Sequence, residues 1–128
     1  AEGAGAVPVA AVMFGKVNTE GKKTVCIVSG GNVDVTTFSR IITKGLSKSG
    51  RTCEITTRVL DKPGQLIGLL DIVSKSGANI INVHHSREAK LSDVTHCVVT
   101  MTLETRNPQH VEEIRKALIS NGYEIIAI

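Results

Sequence analysis

Tryptophan is absent from these 128 residues, and Phe14, Phe38 and Tyr123 are the only aromatic rings. With so few rings a stacking platform for single-stranded nucleic acid is essentially absent, and the core has to be aliphatic. The three cysteines, Cys26, Cys53 and Cys97, are far apart and form no Cys-x-x-Cys pair. They read as reduced, buried thiols of a cytoplasmic protein, not as a disulfide framework. No apolar run is long enough to cross a bilayer, so no membrane partner is expected. The opening "AEGAGAVPVAAVMFG" has the apolar character of a secretory segment, yet no basic residue precedes it and Glu2 stands at its start. Beginning so abruptly in an apolar pattern, it reads as a piece of something longer.

Strong charge is missing too. The formal net charge is +3, and it is unevenly placed. Residues 1–50 carry Lys16, Lys22, Lys23, Arg40, Lys44 and Lys48 against Glu2, Glu20 and Asp34, whereas the remainder is balanced. A weakly basic first part joined to a neutral second part is not the footprint of a nucleic-acid binder.

Hydrophobic residues make up 41% of the chain, enough for a packed core. In the first part, residues 6–14 are apolar on every side, as in a buried helix with Pro8 in its first turn. "TVCIV" (24–28) is a continuous apolar run of strand length, of the kind found in covered parallel sheets. Ser29-Gly30-Gly31-Asn32 makes a turn, and Asn32 or Asp34 can cap the next helix. In that helix Val35, Phe38, Ile41, Ile42 and Leu46 recur at helical spacing until Gly50. Helix, strand, helix cannot make an α/β sheet unaided, so this part calls for neighbours. For Ser29–Asn32 the alternative to a ligand-binding turn is an ordinary strand-to-helix turn.

From Arg51 the pattern changes. Cys53, Ile55, Thr57 and Val59 alternate on one face of a strand, and Asp61-Lys62-Pro63-Gly64 is a turn. Leu66, Leu69, Leu70 and Val73 share a helical face that Gly77 stops. Ala78–Arg87 and Asp93–Thr105 are strands, the latter apolar at Cys97, Val99, Met101 and Leu103. Asn107-Pro108 starts a helix with Val111, Ile114 and Leu118 inward and Gly122 at its end, and Tyr123–Ile128 closes as a strand. The order βαββαβ predicts an α+β, ferredoxin-like domain: a four-stranded antiparallel sheet with two helices on one face. Leu60, Ile80, Ile126 and Ile128 are expected on the open face, where an apolar patch would favour association.

Two of these stretches carry a family resemblance. "DKPGQLIGLLDIVSKSGANIINVHHSR" resembles an ACT domain, the amino-acid-sensing module of metabolic enzymes, through its acidic-x-Pro-Gly turn (Asp61–Gly64) and its Gly77-Ala78-Asn79-Ile80 entry to the second strand. "EGAGAVPVAAVMFGK" followed by "KKTVCIVSGGNVD" resembles the end of the catalytic domain of pyridoxal-phosphate-dependent serine/threonine dehydratases. Together they are similar to a catabolic-like threonine dehydratase, with residues 1–50 a helix-strand-helix remnant of the catalytic domain and 51–128 the ACT domain. The resemblance implies that Ser29 hydrogen-bonds the pyridine nitrogen of pyridoxal phosphate. A neutral hydroxyl there leaves the ring nitrogen unprotonated and favours β-elimination. It further implies Gly30, Gly31 and Asn32 beside the ring, with Glu2 close to it. No lysine stands in the family's Schiff-base setting and no tetraglycine phosphate loop is present, so this chain alone is expected to bind no cofactor and to be no enzyme.

For the second part the resemblance implies an amino-acid effector between two ACT domains: isoleucine, valine, threonine or serine. Lys62 and Pro63 shape the turn, and the N–H groups of Gly64 and Gln65 at a helix start suit an α-carboxylate. Asp61 suits an α-ammonium or fixes the turn, and Asn79 offers both a donor and an acceptor, as a zwitterion needs. Leu66 and Ile80 would line a pocket for an aliphatic side chain. A ligand-free assembly module is the alternative, and a small metal or nucleotide sensor a third. His84 and His85 are adjacent in a strand and face opposite ways. With His96 they make a poor metal set, so no metal is expected. Arg87 beside His85 is a weak signal for an anion.

Overall fold

Strand propensity, turn chemistry and capping act together to order this chain, which a computed structural model describes at residues 1–88 and 94–128. The elements are α1 (Gly3–Met13), α2 (Val35–Lys48), β1 (Thr52–Leu60), α3 (Gln65–Lys75), β2 (Asn79–Ser86), β3 (His96–Glu104), α4 (Pro108–Ser120) and β4 (Glu124–Ala127). They fall into two compact units, Ala1–Thr43 and Lys44–Ile128. Among the described residues no helix is long and apolar enough to cross a membrane.

In the second unit β1, α3, β2, β3, α4 and β4 follow in the expected βαββαβ order. The sheet is antiparallel, with strands in the order β2-β3-β1-β4. Its inner face and the two helices enclose an aliphatic core: Ile55 and Val59 of β1, Cys97, Val99, Met101 and Leu103 of β3, Leu69 and Val73 of α3, Ile114 and Leu118 of α4. Each fully buried aliphatic side chain contributes about 1.5–3 kcal/mol relative to exposure. Thr57 is buried among them and donates its hydroxyl hydrogen to the Val99 carbonyl (3.3 Å). Asn107 caps α4 through the His110 N–H (2.9 Å), ahead of Pro108 at the first helical position. Asp93, expected to open the third strand, lies outside the described residues.

Three local expectations are corrected. Ile80 pairs with Leu103 and packs against the core, so it is not on the open face. The reason is a bulge: Ile80 faces Leu103 but Asn82 faces Thr102, which leaves Ile81 as the extra residue. The rest of the open face is largely polar, with Thr56 hydrogen-bonded to Thr100 across it (3.1 Å). Second, α1 begins at Gly3, so Pro8 stands in its second turn, where it removes a backbone donor. Third, residues 24–28 form no strand, and Val25 and Ile27 are 88% and 76% exposed. An extended segment becomes a strand only when another strand takes its backbone groups.

Within the first unit, Asp34 caps α2 by accepting from the Thr37 N–H (2.8 Å). The helix carries Val35, Phe38, Ile41 and Ile42 as a continuous exposed stripe. α1 packs under the Ser29-Gly30 turn so closely that a Cβ at Gly5 would lie 1.9 Å from the Ser29 carbonyl oxygen.

Candidate functional site

The turn after β1 is built by its own backbone. Lys62 N–H donates to the Leu60 carbonyl (2.9 Å) and Gln65 N–H to the Lys62 carbonyl (3.3 Å). Gly64 then enters α3 at φ +87°, a left-handed conformation that glycine adopts without penalty. Asp61 is fixed from both ends. Its N–H donates to the Thr95 carbonyl (2.9 Å), and its carboxylate receives Arg87 in a bidentate pair, Nε to Oδ2 at 2.7 Å and Nη2 to Oδ1 at 3.1 Å. Those hydrogen bonds, with the guanidinium charge behind them and a smaller push from His85, hold the Asp61 carboxyl below its ordinary range; desolvation opposes them.

Beside the turn runs a groove of about 460 Å³ lined by Arg58, Leu60, Gln65, His96, Tyr123 and Glu124. Tyr123 closes one side of it by donating its hydroxyl hydrogen to the Gln65 carbonyl (3.2 Å). Burial raises the Tyr123 phenol. Asn79 is elsewhere. It pairs across β2 and β3 with Glu104, which in turn faces Thr52 at the start of β1, whereas Asp61 follows the end of β1. Nine residue steps from Thr52 to Asp61 separate these two levels by about 30 Å along the strand. Asn79 donates to Glu104 Oε2 (3.1 Å) and lines a second depression of about 440 Å³ with Arg51, Gly77 and Arg106.

One copy of the chain therefore brings Asp61, Lys62, Pro63, Gly64 and Gln65 together and leaves Asn79 at the far end of the sheet. Leu66 and Ile80 are half-buried against the core, which already engages the apolar surface they would offer a ligand. Lys62 and Pro63 are exposed.

In the first unit the structure joins residues that are well separated in sequence. Gly30, at φ +77°, lies against the Glu2 side chain, where an added Cβ would come within 2.3 Å of Glu2 Cγ. Glu2 thus fills the space that a side chain at residue 30 would need. Ser29 and Asn32 are exposed, and Gly31 has open space beside it.

Two groups were missed in the sequence. His110 is fully buried: its Nδ1 accepts from the Arg106 N–H (3.2 Å) and its Nε2 donates to the Ser76 carbonyl (2.8 Å), tying the start of α4 to the end of α3. The signal was its spacing, since 110, 114 and 118 form one stripe at i, i+4. The other is a convergence at the edge of the inner face. The bulge in β2 turns His85 inward opposite Val99, where it meets Asp61 and Cys97.

No family model matches this chain. Among curated proteins it is 50% identical over 125 residues to L-threonine ammonia-lyase of Thermotoga maritima, covering 98% of this chain and 31% of that protein. It is 38% identical over 122 residues to L-threonine ammonia-lyase of Geobacter sulfurreducens, covering 95% and 30%. A 49-residue stretch is 53% identical to L-threonine dehydratase catabolic TdcB of Staphylococcus aureus, covering 36% and 14%. The chain spans less than a third of the length of the first two relatives, and the Thermotoga match falls in that protein's C-terminal region.

Proposed function

We propose, from this homology to the C-terminal region of L-threonine ammonia-lyase, that residues 51–128 are an amino-acid-binding ACT module governing a threonine dehydratase. The whole protein would convert threonine to 2-oxobutanoate and ammonia. The observation that carries this is a ferredoxin-like sheet with the Asp61–Gly64 turn at its β1–α3 junction, in a chain half identical to such an enzyme along 98% of its length. An effector touching both the turn and Asn79 needs two copies, the turn from one and the start of β2 from the other, because about 30 Å along the strand separates them in a single chain. Regulation and subunit association are then one event.

Residues 1–50 would contribute one edge of the pyridoxal phosphate site. The exposed Ser29 hydroxyl suits the pyridine nitrogen, and Glu2 and Gly30 pack together beside it. When bound, the cofactor supplies the electron sink for loss of the β-hydroxyl. Ser29 would hold the ring as a neutral partner, and Gly30 would keep the turn tight. The Schiff-base lysine and the phosphate loop would come from outside this chain.

A second reading, a ligand-free assembly module, is favoured by a specific observation. Asp61 is already paired with Arg87, Asn79 with Glu104, and the Gln65 N–H with the Lys62 carbonyl. Thermal unfolding of the chain with isoleucine, valine, threonine or serine separates the two. A ligand at a hundred times its Kd stabilises the native state by about 2.7 kcal/mol. One amino acid should raise the melting temperature and tighten a dimer in sedimentation, and Asn79→Ala should abolish both effects. A dimer unmoved by all four would overturn the sensor in favour of assembly.

A further inference from the structure

The second unit carries a cluster that shares only Asp61 with the effector turn and nothing with the cofactor turn. A carboxylate oxygen of Asp61, a ring nitrogen of His85 and the Cys97 sulfur lie within 4.8 Å of one another. Each stands on a well-anchored part of the sheet. Cys97 is inside β3 opposite Val59, His85 is inside β2 opposite Val99, and Asp61 follows β1 with its N–H on the Thr95 carbonyl. The three therefore come from three neighbouring strands at one end of one face. Cys97 is buried whereas Asp61 and His85 are exposed, so the group has a dry floor and an open mouth.

We propose that Asp61, His85 and Cys97 bind a divalent transition metal of the zinc class, with Arg87 as the cation that holds Asp61 when the metal is away. The donor set decides the class of ion. One sulfur, one imidazole nitrogen and one carboxylate oxygen suit zinc or cobalt, whereas magnesium and calcium take oxygen ligands. Ligand atoms around a tetrahedral zinc are about 3.3–3.8 Å apart, given bonds of 2.0–2.3 Å. The cluster thus closes by about 1 Å, which side-chain rotation supplies without moving the strands. Three protein ligands leave a fourth position for water or a small ligand. The Cys97 thiol now donates to the Val59 carbonyl (3.4 Å). On binding, the sulfur forms the metal bond as thiolate and its proton passes to solvent. Asp61 exchanges its two bonds to Arg87 for the metal, and the freed guanidinium turns to water.

Cobalt(II) titration of the full, tag-free chain tests this directly. The expected result is one cobalt per chain, with a near-ultraviolet thiolate-to-cobalt charge-transfer band and strong visible bands of tetrahedral geometry, all displaced by zinc. Cys97→Ser should lose the charge-transfer band. His85→Ala, an exposed position that leaves folding intact, should weaken binding on the order of tenfold or more. Cys26→Ser/Cys53→Ser should keep the band, and Arg87→Ala should tighten binding by freeing Asp61. Neither His85 nor Cys97 belongs to the effector reading, so loss of amino-acid binding and loss of cobalt binding are separate outcomes. Absence of the band, its survival in Cys97→Ser, or unchanged affinity in His85→Ala would each overturn the site.

Discussion

Gly64→Ala isolates one physical term. At φ +87° an L-residue meets its own backbone, which costs roughly 1–2 kcal/mol in the left-handed region. Contact with neighbours adds nothing, because a Cβ built on Gly64 finds no heavy atom within 4 Å. Alanine is also a poor helix cap. Against these, alanine restricts the unfolded chain and returns about 0.4–1 kcal/mol. The net expectation is a loss of about 1 kcal/mol, or roughly 4–8 °C in melting temperature for a unit of this size. Asparagine in the same place tolerates the left-handed conformation and caps well, so Gly64→Asn should lose less than about 0.5 kcal/mol. Urea unfolding followed by circular dichroism gives both values. If alanine and asparagine lose equal stability, or if alanine loses none, the turn does not depend on the left-handed glycine and the reasoning fails.

Other outcomes rest on equally local observations. His110→Leu leaves the part-buried Ser76 carbonyl and Arg106 N–H without their imidazole partner, at about 1–3 kcal/mol each. Urea titration should show a loss of about 2–4 kcal/mol, and a loss under about 1 kcal/mol would refute the role given to the imidazole. Gly5→Ala places a methyl group 1.9 Å from the Ser29 carbonyl oxygen. Hydrogen exchange across residues 26–33 should therefore accelerate while β1 and β3 stay protected; unchanged exchange there would refute the packing of α1 under the turn. The Asp61–Arg87 pair makes stability depend on pH with a definite sign. Because folding lowers the Asp61 carboxyl, its contribution is present above the ordinary carboxylate value and disappears as pH falls through the lowered one. With chelator present, the advantage of the native chain over Arg87→Ala should be constant near neutrality and shrink only in acid. An advantage that grows on acidification would contradict the pairing.

The order of elements in the second unit, the inward faces of β1, β3, α3 and α4, and the caps at Asp34 and Asn107 were all legible in the sequence. Each rests on a local rule: alternation by two in strands, a stripe at i, i+3 and i+4 in helices, and a short polar side chain at a helix start. The turn Asp61–Gly64 was legible for the same reason, since Pro-Gly chemistry is decided within four residues.

What needed the tertiary structure was everything set by pairing. The apolar run at 24–28 has the composition of a strand, but composition cannot supply a partner for its backbone. Ile80 has the look of an open-face residue until the bulge at Ile81 shifts its phase. That same bulge sends His85 inward, and so decides that Asp61, His85 and Cys97 meet although they lie on three separate strands or their ends. Antiparallel pairing also puts Asn79 at the opposite end of β1 from Asp61, dividing the expected effector site between two places. Local rules specify which residues share a face. Which faces and ends meet depends on register, and a one-residue slip in register inverts every side chain beyond it.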